Sequence, residues 1–95
     1  MTKEELIEIL REIEFHHRSL RRIHRDTNLL FCFGIIDEIH IDSSRFNEVV
    51  SILQPNVTYN PNWSKNYPNV TEAYFYMNLN DHETKIYALF EKENE

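Results

Sequence analysis

Residues 70–91, VTEAYFYMNLNDHETKIYALFE, decide how this chain folds. Val70 to Asn78 and Thr84 to Glu91 alternate as strands do, and Asn80-Asp-His-Glu83 supplies turn chemistry between them, so the stretch reads as a β-hairpin. A turn symmetric about Asp81 and His82 pairs Met77 with Ile86, Phe75 with Ala88 and Ala73 with Phe90 on one face. It pairs Tyr76 with Tyr87 and Tyr74 with Leu89 on the other. Both faces are then largely apolar or aromatic. One is expected to pack on helices, which leaves Tyr74, Tyr76, Tyr87 and Leu89 to be covered by a loop, a second subunit or a target.

Upstream, Gln54 to Asn69 (QPNVTYNPNWSKNYPN) holds all three prolines and the aromatics Tyr59, Trp63 and Tyr67, and reads as a long loop with little regular structure. Before it, Asp42-Ser-Ser offers an N-cap, and Phe46, Val49, Val50 and Leu53 recur at helical spacing, marking a short helix that Pro55 ends. Leu29 to Phe33 and Ile35 to Ile41 read as two short strands turning near Gly34. From about Lys3 to Arg25, Leu6, Leu10, Ile13, His17, Leu20 and His24 stack into one helical seam. The expected fold is therefore α+β: N-terminal helix, two short strands, second helix, long loop and C-terminal hairpin. The sheet is mostly antiparallel, with both helices on one face.

A chain of 95 residues makes one domain and buries only somewhat over ~60% of the surface it exposes when unfolded. Residues 1–25 carry six basic and five acidic side chains, whereas residues 26–95 carry four basic and eleven acidic, within a formal charge of -6. That balance disfavours broad electrostatic binding to nucleic acid or anionic lipid and favours a protein partner with a basic surface. One cysteine, Cys32, excludes an internal disulfide, and the apolar run around it makes it a small buried hydrophobe rather than a nucleophile. No basic n-region with an apolar run opens the chain, and its longest apolar run is too short to span a bilayer, so the expected setting is cytoplasmic, without a membrane.

The segment EFHHRSLRRIHRD, residues 14–26, gathers four of the ten Lys and Arg side chains and three of the five histidines. Arg18, Arg21, Arg22 and Arg25 form a stripe that could follow a phosphate backbone, which makes a helix-mediated nucleic-acid binder one alternative. The more ordinary reading is a solvated face paired with carboxylates such as Glu14. His17 and His24 stand about 10.5 Å apart along a helix, too far to share an ion. His16, His40 and His82 lack ligand spacing but would be the groups for a small His-dependent enzyme, a second alternative. No catalytic signature, metal site or cofactor motif is present, so enzyme activity is not expected.

These observations together point to a small acidic inhibitor or regulator that binds protein and acts by steric and electrostatic occlusion. Its size, acidity and Asn-rich composition resemble the small inhibitors that viruses and mobile elements direct at host enzymes or defence complexes. The expected partner contact comprises Tyr59, Trp63, Tyr67, Tyr74, Tyr76 and Tyr87 with Glu72, Asp81 and Glu83. A homodimer is expected through an antiparallel pairing of the first helix along Leu6, Leu10, Ile13, His17, Leu20 and His24.

Overall fold

The computed structural model of the chain describes residues 1–27 and 38–92. Among these, six elements follow one another: α1 (Lys3–Thr27), β1 (Glu38–His40), α2 (Ser43–Leu53), β2 (Thr58–Asn60), β3 (Val70–Leu79) and β4 (His82–Glu91). The architecture is α+β, two helices and a four-stranded mixed sheet in the order β1-β4-β3-β2. β2, β3 and β4 are antiparallel neighbours and β1 runs parallel to β4. The expected strand Leu29–Phe33, with Cys32 in it and the turn at Gly34 after it, lies outside the described residues.

Each helix begins where its cap dictates. Thr2 Oγ1 accepts from the Glu5 backbone N–H at 3.1 Å and donates to Glu5 Oε1 at 3.2 Å, a side-chain cap that starts α1. Asp42 Oδ1 accepts from Ser44 N at 2.9 Å and Ser44 Oγ at 2.7 Å, which starts α2. Those bonds hold the Asp42 carboxyl below its usual pKa, the Ser44 side-chain contact contributing most. At the far end Gln54 takes a left-handed conformation (φ 51°, ψ 49°), returns its N–H to Val50 O, and is followed by Pro55, which cannot prolong the helix.

The hairpin forms as its sequence indicates, in a different register. Asn80 and Asp81 both have positive φ (52° and 65°), the backbone of a tight two-residue turn. The turn is thus centred between Asn80 and Asp81 and leaves His82 inside β4. Phe75 pairs with Ile86, Ala73 with Ala88, Tyr74 with Tyr87 and Tyr76 with Lys85, which corrects the pairing expected from a turn about Asp81 and His82. Every partner moves by two residues, and because strand side chains alternate with period two, each stays on its expected face. A second correction concerns the long loop, where Thr58–Asn60 joins the sheet as β2, pairing Tyr59 with Ala73.

The inner face of the sheet holds the core. Ala73, Phe75 and Leu79 of β3, Ile86 and Ala88 of β4 and Ile39 of β1 cluster with Leu6 and Leu10 of α1 and Phe46 and Val49 of α2. Both helices therefore cover one face, and among the described residues no helix covers the other.

The hairpin turn is fastened to α1 by groups of Arg11, Glu14 and Arg18. Asn80 Nδ2 donates to Arg11 O at 2.9 Å and to Glu14 Oε1 at 3.1 Å. Glu14, only 3% exposed, also accepts from Arg18 Nε at 2.7 Å, and Arg18 Nη1 lies 3.0 Å from His82 Nε2. Asn80→Ala removes both side-chain bonds and puts a Cβ without a local hydrogen bond at positive φ. The expected cost is about 2 kcal/mol in urea unfolding, and Asn80→Gly, which relieves the backbone, is expected to cost less.

Candidate functional site

Strand alternation assigns the outer face. Glu72, Tyr74 and Tyr76 of β3, Glu83, Lys85, Tyr87 and Leu89 of β4, and Glu38 and His40 of β1 lie opposite the core side chains. Lys85 stands at its centre, between Tyr76 on β3 and Glu38 on β1 in the strand register. Its ammonium is 3.0 Å from Glu72 Oε2 and 3.8 Å from Glu38 Oε1. It also lies 4.6 Å from the centre of the Tyr74 ring and 5.6 Å from that of Tyr87, within reach of both π faces.

Burial alone would lower the Lys85 pKa, and it is the largest single influence. The hydrogen bond to Glu72 and the fields of Glu72 and Glu38 together outweigh it and raise the pKa, so Lys85 is a fixed cation and no neutral nucleophile. The Tyr87 phenol is pushed up as well, first by burial and then by Glu38 and Glu72, and stays protonated. His40 stacks on Tyr87 at 4.6 Å and 13°, and Tyr74 meets Tyr76 edge-on at 5.8 Å.

The loop before β3 extends this surface. Trp63 and Tyr67 pack against each other at 5.9 Å and, with Val70, Leu89, Phe90 and Glu91, line an open groove. The loop is held by Lys92, whose Nζ donates to Pro61 O at 2.9 Å and Pro68 O at 3.3 Å, and by Asn60, whose Oδ1 accepts from Asn62 N at 3.1 Å.

Five of the aromatic side chains expected at a partner contact, Trp63, Tyr67, Tyr74, Tyr76 and Tyr87, thus belong to one surface. Tyr59 does not, because its pairing with Ala73 turns it to the inner side, where it is 67% exposed. Asp81 sits at the hairpin tip and Glu83 on the outer face beside it, both exposed. Glu72 requires a correction: it is 5% exposed and bound to Lys85, so it is unavailable to a partner. Sequence reasoning missed Lys85 as the hub; the only signal was a lysine at an interior strand position, KIYALF.

The expected dimer seam divides. Leu6 and Leu10 are buried in the chain's own core, with Ile13 half-buried against them, because the sheet and α2 offer that seam a partner within one chain. His17 is half-buried, Leu20 is 40% exposed, and the His24 side chain lies outside the described residues. Along the arginine stripe, Arg18 is committed to Glu14, Arg22 is exposed, and the Arg21 and Arg25 side chains lie outside the described residues. His16 approaches Glu12 at 3.8 Å on α1, His40 stacks on the outer face, and His82 contacts Arg18, so these three are not assembled into one site.

Among the described residues no group of three His, Cys, Asp or Glu side chains is arranged to hold a metal, and no helix is long and apolar enough to cross a membrane. Comparison with known proteins finds no matching family model, no matching curated protein and no matching solved structure. Function must be argued from the surface itself.

Proposed function

We propose that this chain is a non-catalytic, protein-binding regulator or inhibitor that applies its outer sheet face to a basic surface of another protein. The observation that carries the reading is a sheet face with no helix on it among the described residues, on which Tyr74, Tyr76 and Tyr87 flank a neutralised ion pair and Trp63 and Tyr67 pack together at the margin. Aromatic side chains supply large, rigid contact area at low entropic cost and dominate interface energetics. With Lys85 matched by Glu72, the carboxylates of Glu38, Glu83 and Glu91 give this face a surplus of negative charge, which selects a basic partner and speeds encounter. A nucleic-acid-handling enzyme or a defence complex, whose working groove is basic, fits that requirement, and occupying the groove would block it.

The test is affinity capture followed by direct titration of the purified partner. Tyr76 is 55% exposed, so Tyr76→Ala should keep the fold. It and Trp63→Ala are each expected to weaken binding about tenfold or more. Unchanged affinity in both folded variants would move the contact away from this face. Tight, salt-sensitive binding to single-stranded RNA or DNA would instead replace the protein partner with a nucleic acid.

A further inference from the structure

α1 has a second face that neither its own core nor the sheet uses. Glu8, Glu12, Phe15, Ser19 and Arg22 recur at spacings of four and three on the side away from Leu6 and Leu10. Phe15, at the centre, is 56% exposed. Beside its ring lies an open depression lined by Glu8, Arg11, Glu12 and Asn80. The charges are ordered about Phe15: Glu8 and Glu12 precede it by seven and three residues, and Arg18 and Arg22 follow it by three and seven.

We infer that this face joins two copies of the chain, with α1 packed antiparallel on α1 about a two-fold axis beside Phe15. Such an axis sets each residue k positions after Phe15 against the residue k positions before it in the other copy. Arg22 then meets the partner's Glu8 and Arg18 meets the partner's Glu12, and the symmetry makes each contact twice. The two Phe15 rings meet at the axis, and the depression beside each, lined by Glu8 and Glu12, faces the other copy's arginines. A foreign partner needs only one sign of charge on the face it meets. Opposite signs mirrored about one aromatic make a surface complementary to itself.

The match does not serve the single chain. Glu8 and Arg22 stand about 21 Å apart along the helix at 1.5 Å per residue, beyond the reach of a pair within one copy. Arg22 makes no ion pair among the described residues, while Glu8 and Glu12 have only exposed partners, Arg11 at 2.8 Å and His16 at 3.8 Å. Such exposed pairs are easily exchanged. Arg18 already serves Glu14, so the contact depends chiefly on Phe15, Glu8 and Arg22.

Sedimentation equilibrium on the full chain, over a concentration series reaching the high micromolar range, tests the inference. The wild type is expected to show a reversible monomer–dimer equilibrium and Phe15→Glu to remain monomeric. Glu8→Arg and Arg22→Glu should each weaken association about tenfold, while the double reversal restores it, which no role within one chain would produce. All of these positions are on the surface, and matching circular dichroism spectra establish that each variant is folded. A wild type that stays monomeric throughout, a Phe15→Glu variant that still associates, or a double reversal no tighter than the single ones overturns the inference.

Discussion

Replacing Lys85 with methionine is expected to cost about 3–5 kcal/mol, because it leaves the Glu72 carboxylate buried without its counter-charge. The methionine fills the path of the lysine stem, so the loss is electrostatic rather than a cavity. Glu72 has only 6% of its side chain exposed and Lys85 19%, so water cannot substitute for the missing partner. Converting Glu72 to methionine as well removes the stranded charge and is expected to return most of the stability, since a buried pair replaced by apolar groups is often neutral. Urea unfolding of the two single variants and the double variant measures the coupling. A Lys85→Met cost under about 1 kcal/mol would mean that water reaches the Glu72 carboxylate.

The same pair sets the alkaline limit of the fold. Lys85 has a folded pKa above its ordinary value, so its contribution is fully present below the ordinary lysine pKa of ~10.4 and is lost as pH rises through the folded value. Tyr87 is also raised, so the folded chain keeps a proton that the unfolded chain gives up near pH ~10, and stability again falls with rising pH. Both effects act in one direction over one range. The midpoint in urea should decline above about pH 10, and less steeply in the Lys85→Met, Glu72→Met double variant.

Much of this was readable from the chain because hydrophobic periodicity repeats over whole elements. α1 and α2 each carry several turns of one seam, and Asp42 and Pro55 bracket the second. The faces of β3 and β4 follow from alternation alone. β2 was not readable, since Thr58-Tyr59-Asn60 sits among prolines and asparagines and becomes a strand only by pairing with β3. The Lys85–Glu72 pair was hidden for a related reason. A turn centred one residue later would put Lys85 opposite Asn78. The actual turn puts it opposite Tyr76, two residues and about 7 Å nearer Glu72 along the strand, where the stem can pass Tyr74 and reach the carboxylate. Leu6 and Leu10 were recognisable as a seam that needs a partner. Periodicity does not say whether that partner is the chain's own sheet or a second copy, and here the sheet supplies it.

Phe46→Ala is expected to be as damaging as the loss of Lys85, about 3–5 kcal/mol, by a different mechanism. The ring is 2% exposed and packs 6.0 Å from Phe75 and 5.8 Å from Phe90, so it ties α2 to both long strands. Its removal loses the transfer energy of the ring and leaves a cavity, which a helix fixed by the Asp42 cap and the Gln54 turn can close only in part. Against a typical total of about 5–15 kcal/mol, that is a large fraction of the stability of a small domain. Leu20→Ala, at an exposed position of α1, is expected to change stability by no more than about 0.5 kcal/mol. Paired urea titrations of these variants locate the core, and a Phe46→Ala cost below about 1 kcal/mol would be incompatible with a core shared by both helices and the sheet. The comparison also separates folding from recognition. The outer tyrosines ride on strands whose inner side chains surround Phe46, so Phe46→Ala should reduce partner binding in proportion to the unfolded fraction. Tyr76→Ala should reduce it with the fold intact, and only the second behaviour identifies a residue that touches the partner.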